Sequence, residues 1–429
     1  MLFLTERWGV KMNLGIIALV ILFVVIGVGF FKKMNVGMLA MMSAVILGYM
    51  TNQYSKEEIL SGYSVSLFIT LLGLNLLFGV ISTNGVLDLL MKKLINLFGK
   101  QIWLAPVLLF LSGWAVSALA GGFAGLAFVV GVTIPVVHAT GYDPIMMMII
   151  ANAGAQAGRY TQISPDGNIV LNLLAEQGIE KGLFVLTVNM TISMAVISIL
   201  AFIWFKGYKV KGKGEIKLET GKLTVKHWIT LAGFLVMVVS IMAFGKDSGL
   251  IGLMVSVFLI LIGVVDEKTA FKTLPWNTIM MVTGVGMLMN IVIGSGGIDI
   301  LTNLIAGLTT PATVGGVSAM TASIMSWFSS TLGVVVPTLT PTVGDLAREV
   351  GGNVTAVGLL SCMLIGSSSA CFSPASSVGG MILSSVTGDE KLKNTIDENK
   401  TFVLLFVWSI AMAIVSAVLA LVGVFSIVG

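Results

Sequence analysis

Apolar runs of membrane-spanning length recur along the chain from Leu14 onward. A helix that crosses a bilayer needs about 20 mainly apolar residues, whereas the core helices of soluble proteins are shorter or carry a polar face. Charged residues make up 10% of the 429 residues, against roughly 25% in soluble globular domains. The sequence therefore predicts an all-α polytopic membrane protein and excludes a soluble multidomain enzyme.

The apolar runs predict five spans in each half of the chain. The first five lie near 14–31, 36–50, 64–83, 144–176 and 183–205. The second five lie near 228–244, 249–264, 278–294, 355–387 and 401–427. Two further apolar stretches, 102–138 and 312–343, are too long for one span and have small residues at their centres. We expect each to be a re-entrant hairpin whose tip is buried in protein or lines a cavity.

Basic residues indicate the orientation of the spans. Lysines are concentrated in the loop 206–227, and most other basic residues fall on the same side if this loop is cytoplasmic. Because cytoplasmic loops carry an excess of Lys and Arg, we expect both termini outside. The net charge of +4 is small, so we expect the lipid bilayer as a partner and no nucleic acid.

Stretches of the first half recur in the second half at offsets of 211 and 209 residues. The matching pairs are 80–90 with 291–301, and 158–170 with 367–379. The second pair places Ser164 on Ser373 and Pro165 on Pro374. Such a recurrence at a nearly constant spacing predicts two structural repeats.

The predicted repeats divide the chain into three parts. These are a first repeat over 1–205, a cytoplasmic basic linker over 206–227, and a second repeat over 228–429. Each repeat has five spans, an odd number, so the second copy enters the membrane from the opposite side. Inverted repeats of this kind are the plan of many secondary transporters.

The fourth span of each repeat, 144–176 and 355–387, contains residues that break a helix. Pro removes a backbone donor and disfavours helix in the residue before it, and Gly lacks the Cβ constraint. A break at mid-bilayer exposes backbone carbonyls that coordinate cations and helix N-termini that attract carboxylates. A packing kink is the alternative for one break, but equivalent breaks in two repeats favour a binding site. The candidate substrate-binding residues here are Ser164, Pro165, Asn168, Ser373, Pro374, Ser376 and Ser377.

The tips of the two predicted hairpins, 117–122 and 326–331, consist mainly of small and hydroxyl residues. Such residues let the backbone approach a ligand closely and offer hydrogen bonds without a full charge. Helix–helix contact through small residues is the alternative. The second tip is the better candidate because it has three hydroxyls in a row. The candidate binding residues are Gly121, Gly122, Ser329, Ser330 and Thr331.

Arg159 is the one basic residue at predicted membrane depth. An isolated charge at the bilayer centre costs at least about 2.5 kcal/mol, so we expect it to be paired or to face water. Three interpretations stay open: a structural pair with Asp166, a bidentate contact with a substrate carboxylate, or a side chain that reaches an interface. The candidate ligands of a coupling sodium ion are Asp166, Gly167, Ser330 and Ser376.

Two hairpins and two broken helices in inverted repeats resemble the ion-transporter superfamily. The closest resemblance is to the divalent-anion/sodium symporters and the MatC-like malonate and C4-dicarboxylate carriers. Members of that family carry Ser-Asn-Thr at each hairpin tip and a Thr-Pro-Pro-Asn-like break. Here the break 164–168 keeps a hydroxyl, a Pro and an Asn, and the tip 329–331 reads Ser-Ser-Thr. The tip 120–122 reads Ala-Gly-Gly and departs from the motif.

The resemblance implies a secondary active transporter of small organic anions, such as di- or other carboxylates, coupled to sodium ions or protons. It further implies a homodimer in the cell inner (plasma) membrane. In an elevator-type motion, the hairpins, broken helices and last span of each repeat move against the first three spans. Sodium coupling ions are the only cofactor that the resemblance suggests.

Two alternatives in the same superfamily are a sodium/proton antiporter and an inorganic oxyanion transporter. An antiporter would favour unpaired acids at membrane depth, where the sequence offers Asp166 with Arg159 nearby. An intramembrane enzyme is disfavoured because the sequence has no HExxH motif and both histidines, His138 and His227, lie at loop borders. We therefore expect no catalytic site.

Overall fold

The computed structural model describes residues 2–51, 53–97, 101–179, 181–210, 216–244, 246–327, 330–389, 391–392 and 396–426. Every regular element within these residues is helical, which confirms the predicted all-α class. Five helices are long and apolar enough to cross a membrane, or six if a bent pair forms one span. Shorter apolar helices lie at the other predicted spans, and the ten-span layout stays a prediction.

The helices of the first half of the chain follow one another with short connections. They are α1 (Leu2–Lys32), α2 (Val36–Thr51), α3 (Lys56–Ser61), α4 (Val65–Asn84), α5 (Val86–Leu97), α6 (Ala105–Thr140), α7 (Pro144–Gly158), α8 (Pro165–Ala175) and α9 (Leu183–Trp204).

The second half repeats this order. Its helices are α10 (Val225–Phe244), α11 (Ser248–Leu261), α12 (Glu267–Lys272), α13 (Trp276–Gly294), α14 (Gly297–Gly307), α15 (Val314–Trp327), α16 (Val336–Leu339), α17 (Val343–Val350), α18 (Ala356–Ala370), α19 (Ser377–Gly388) and α20 (Glu398–Leu421). A π-helical turn, Thr331–Val335, precedes α16. The starts of α12, α13 and α14 lie 211 residues after those of α3, α4 and α5, which supports the repeat. Its inverted orientation stays a prediction.

The two halves pack into each other. Helix α2 lies along α13, and α4 lies along α11. Glycines allow these backbones to touch, since a Cβ atom at Gly37 would overlap the Met280 carbonyl oxygen and one at Gly73 would overlap that of Gly249. Small residues at helix contacts are typical of membrane proteins, where close backbone packing supplies much of the association energy.

Helix α6 consists of two limbs that fold back on each other. Its backbone leaves the helical region at Gly121, with φ 82° and ψ 172°, a conformation that glycine adopts without the steric penalty of a Cβ. A Cβ at Gly125 would overlap the Ser117 hydroxyl, although eight residues span about 12 Å in a straight helix. These contacts confirm the predicted hairpin over 102–138 and place its turn at Gly121.

The second predicted hairpin, 312–343, corresponds to α15 and the segment Thr331–Val350. The two parts are bent by 119° relative to each other, which agrees with the predicted change of direction. Helix α15 packs along α18, as α6 packs along α7. Each hairpin therefore lies beside the first part of the broken helix of its own repeat.

Both predicted helix breaks are confirmed. Helix α7 ends at Gly158 and α8 begins at Pro165, while α18 ends at Ala370 and α19 begins at Ser377. Helices α7 and α18 are buried along most of their length. Helix α9 covers α7 and also contacts α18. The ends of α7 and α18 thus lie inside the protein.

Candidate substrate site at the broken helices

The tip of the first hairpin is bonded to the first break. Residues 118–122 and 159–166 together form what we call the first half-site. The Thr161 hydroxyl donates to the Ala118 carbonyl oxygen, and the Gly122 N–H donates to Asp166 Oδ2 at 3.0 Å. The break is thus attached to the hairpin tip by two hydrogen bonds.

Ser164 begins the helix after the break. Its hydroxyl accepts from the Gly167 N–H at 3.0 Å and donates to the Arg159 carbonyl oxygen at 2.5 Å. This is N-cap chemistry, and Pro165 follows at the first helical position, where its missing N–H costs nothing. The Asn168 amide donates to the Ser164 carbonyl oxygen at 2.9 Å. Side chains therefore satisfy the backbone groups that the break exposes.

Arg159 and Asp166 form a buried ion pair, as one interpretation of the sequence proposed. Arg159 Nε lies 2.8 Å from Asp166 Oδ2, and Arg159 Nη1 donates to Gln156 Oε1 at 2.5 Å. Arg159 is 7% exposed and Asp166 4%. The interpretation in which Arg159 reaches an interface is wrong, because these partners hold the guanidinium in the protein interior.

Gly121 and Gly122 allow the hairpin tip to approach this pair. A Cβ at Gly122 would lie 2.8 Å from Asp166 Oδ2 and 2.9 Å from Arg159 Cζ. A Cβ at Gly121 would lie 2.9 Å from Pro165 Cδ. Both distances are shorter than carbon atoms tolerate without a shift of the neighbour. The Ala-Gly-Gly tip therefore fits a charged pair that Ser-Asn-Thr would displace.

The second half-site comprises residues 326, 330–331, 367 and 371–376. The Ser367 hydroxyl donates to Thr331 Oγ1 at 2.8 Å, and the Ser326 hydroxyl lies 3.1 Å from the same oxygen. Ser330 accepts from the Gly333 N–H and caps the π-helical turn. Ser329 lies outside the described residues, so its role in binding stays a prediction. Neutral hydroxyls thus replace the ion pair of the first half-site.

The second break has its own cap. The Ser376 hydroxyl accepts from the Gly379 N–H at 3.2 Å and donates to the Cys371 carbonyl oxygen. The Ser373 hydroxyl accepts from the Ala375 N–H at 3.3 Å, and Pro374 lies half-buried between them. Ser377 begins α19, but its side chain lies outside the described residues.

The cap contacts correct the alignment of the two breaks. The two hydrogen bonds of Ser164 recur at Ser376, 212 residues later. The sequence match that placed Ser164 on Ser373 is therefore wrong, because it followed the Ser-Pro pair. The cap position is defined instead by the residue that precedes the new helix. In the corrected alignment Arg159 corresponds to Cys371.

The two breaks meet where α7 and α18 end. Gln156 Nε2 donates to Cys371 Sγ at 3.3 Å, and Asn152 lies beside the same cysteine. The hydroxyls of Tyr160 and Ser368 lie near each other. We call Asn152, Gln156, Tyr160 and Ser368 the central polar cluster.

Three members of the central polar cluster lack hydrogen bonds of good geometry. The Asn152 amide and the hydroxyls of Tyr160 and Ser368 are buried and have no partner among the residues that the structure describes. Buried polar groups are almost always bonded, so such a group needs a water molecule or a ligand. This cluster was not predicted, although the four-residue spacing of Asn152, Gln156 and Tyr160 places them on one helix face.

The fold and the site define the class: this is a multi-pass membrane transporter and not an enzyme. Residues 12–159 match the family model described as "Dicarboxylate carrier protein MatC N-terminus". The predicted resemblance is therefore confirmed over that part of the chain, which ends at the first break.

One solved structure with a similar fold is the YdaH transporter of Alcanivorax borkumensis. It matches with a TM-score of 0.56 at 13% sequence identity, over 85% of this chain and 86% of that chain. At this identity the likeness shows a shared fold. No curated protein sequence matches the chain.

Proposed function

We propose that this protein is a secondary active transporter of small organic anions, such as dicarboxylates, in the inner (plasma) membrane. The observation that carries the proposal is the central polar cluster, where buried polar groups without partners lie between two helix breaks. Amide and hydroxyl groups suit carboxylate oxygens, and a site between the repeats suits alternating access. The match of residues 12–159 to a dicarboxylate carrier family points to the same substrate class.

The second break is where we place the substrate carboxylate. The first turn of α8 contains Asp166, which already compensates the positive end of that helix. The first turn of α19 reads Ser-Val-Gly-Gly and contains no acid. Because a helix N-terminus attracts an anion, the N-terminus of α19 favours a carboxylate more than that of α8 does.

Coupling to sodium ions is part of the proposal, with the ion at the second half-site. Its hydroxyls on Ser326, Thr331 and Ser367 are neutral oxygens of the kind that hard cations bind. An antiporter is disfavoured because Asp166, the acid that would exchange protons, is paired with Arg159.

Uptake into proteoliposomes tests the proposal. We expect the purified protein to accumulate a labelled dicarboxylate when a sodium gradient is imposed, and less when a proton gradient replaces it. The panel should contain mono-, di- and tricarboxylates together with sulfate and phosphate. Sodium extrusion driven by protons without anion uptake would contradict the proposal, and uptake of sulfate or phosphate alone would favour the oxyanion alternative.

Removal of one hydroxyl from the central polar cluster should reduce transport. A hydrogen bond to a charged group contributes roughly 1.5–3 kcal/mol, so we expect Ser368→Ala to lower the affinity for the anion by about tenfold or more. Ser318→Ala is the matched control, because Ser318 is also buried without a hydrogen-bond partner among the described residues, but lies on α15 away from the breaks. Equal uptake by the two variants would rule out a substrate contact for Ser368.

Elevator motion predicts that one observed hydrogen bond must break during transport. The Ser248 hydroxyl on α11 donates to Asn168 Oδ1 on α8 at 2.6 Å. In the proposed motion α8 moves and α11 stays. Cysteines at both positions, joined by a short thiol-specific crosslinker, should abolish uptake and leave substrate binding intact. Each single cysteine variant, treated with the same reagent, controls for Cys362 and Cys371. Full transport by the crosslinked protein would exclude this motion.

A further inference from the structure

The two half-sites differ at corresponding positions. A Cβ at Gly154 would overlap the Phe110 carbonyl oxygen, and a Cβ at Gly366 would overlap that of Ala319. These contacts align the hairpins at an offset of 209 residues and the broken helices at 212. Gly122 of the first tip then corresponds to Thr331 of the second.

Charge is confined to one of the two half-sites. On the same alignment Arg159 corresponds to Cys371 and Asp166 to Val378. Within the described part of the second half-site, the side chain at the hairpin tip is a hydroxyl bonded to other hydroxyls. In the first half-site the tip has no side chain, and the space holds a guanidinium and a carboxylate.

A sodium ion does not fit the first half-site, although Asp166 and Gly167 were predicted as ligands. Asp166 Oδ2 already accepts from the Arg159 Nε–H and the Gly122 N–H. A second cation beside this oxygen would be repelled by a guanidinium that is 2.8 Å away. The Gly167 N–H is bonded to Ser164, and the space above its Cα is filled by the Thr161 carbonyl oxygen.

We propose that Arg159 is a resident cation. Its guanidinium neutralises Asp166 and thereby holds the hairpin tip on the broken helix, as a bound sodium ion would. Because the cation is covalently attached to the chain, the first half-site neither takes up nor releases an ion during transport. Ion coupling is therefore confined to the second half-site. The term coupling rests on the proposed function, but the resident cation itself does not.

The test asks whether a free cation can replace the guanidinium. Arg159→Ala leaves a cavity beside the Asp166 carboxylate. We expect its folded fraction and thermal midpoint, measured in detergent extracts, to fall in choline chloride. Methylguanidinium or sodium chloride in the millimolar range, at equal ionic strength, should restore most of the loss. The double variant Arg159→Ala/Asp166→Ala should not respond, because it has no carboxylate to attract the cation.

Two outcomes would overturn the proposal. One is an Arg159→Ala protein that no salt restores while the double variant folds, which would reduce the guanidinium to a fixed structural partner. The other is an Arg159→Ala protein as stable as the parent in choline chloride. Arg159→Lys carries its own cation and should fold without responding to methylguanidinium, and a response as large as that of Arg159→Ala would also count against the proposal.

These measurements separate this proposal from the proposed function. Stability is measured without transport, so a protein that carries no carboxylate but shows cation rescue supports the resident cation alone. Carboxylate uptake by the parent together with no rescue of Arg159→Ala overturns the resident cation alone.

Discussion

Asp166→Ala is expected to lower the free energy of unfolding by about 3–5 kcal/mol, because it leaves a buried guanidinium without its counter-ion. Arg159 is 7% exposed and cannot reach water without moving the hairpin tip that lies over it. The double variant Arg159→Ala/Asp166→Ala should recover much of the loss, since no unpaired charge remains. Thermal unfolding of the detergent-solubilised proteins in choline chloride measures both effects.

The exposed pair of Arg348 and Asp345 provides a control. These residues lie three apart on α17, and the Arg348 side chain is 80% exposed. Because exposed ion pairs contribute little, Asp345→Ala should change stability much less than Asp166→Ala does. A double variant of the buried pair that is no more stable than the single variants would show that Arg159 and Asp166 act independently.

Uptake by the same variants decides whether Arg159 also touches the substrate. A double variant that is stable and transports normally would exclude a substrate contact. A double variant that is stable but inactive, with weakened anion binding, would support one. Arg159→Lys should fail in that case, because an ammonium group cannot reproduce the planar two-donor geometry of a guanidinium.

Gly154→Ala is expected to cost roughly 2–3 kcal/mol and to abolish uptake, because the added methyl group overlaps a backbone carbonyl oxygen on α6. Backbone atoms cannot rotate away as a flexible side chain can, so α6 and α7 must separate. Helix α7 carries Asn152 and Gln156, and its displacement would move half of the central polar cluster. Uptake and thermal midpoint should therefore fall together.

The repeat supplies a matched variant and α6 supplies a control. Gly366→Ala should behave like Gly154→Ala, since its methyl group overlaps the Ala319 carbonyl oxygen on α15. Gly131→Ala should be neutral or slightly stabilising, because a methyl group there meets no atom within 4 Å and alanine favours helix. A Gly154→Ala variant as stable as Gly131→Ala would contradict the close packing of α6 on α7.

Features that depend on local chemistry could be predicted from the sequence. The helical class follows from the apolar runs, and the two breaks follow from proline and glycine in otherwise apolar segments. The first hairpin turn follows from Gly121, and the partner of Arg159 was correctly predicted as Asp166. In each case the residue and its structural consequence lie within about one or two helical turns.

Features that depend on distant neighbours could not be predicted. The contact of Gln156 with Cys371 joins residues 215 positions apart, and no local pattern indicates it. The alignment of Ser164 with Ser373 was wrong because a repeated Ser-Pro pair is a stronger sequence signal than a cap. The helix face shared by Asn152, Gln156 and Tyr160 was visible in the sequence, but its importance depends on Ser368.

The mutual packing of the two halves has a consequence for how the chain is made. Helices α2 and α4 emerge from the ribosome long before α13 and α11, against which they pack. At the usual rate of synthesis the delay is about 10–40 s. During that time the glycine faces at Gly37 and Gly73 have no partner helix, so the newly made first half waits in the membrane unassembled. Two separately translated fragments, divided within 206–227, should therefore still assemble, because the complete chain also joins its halves after insertion.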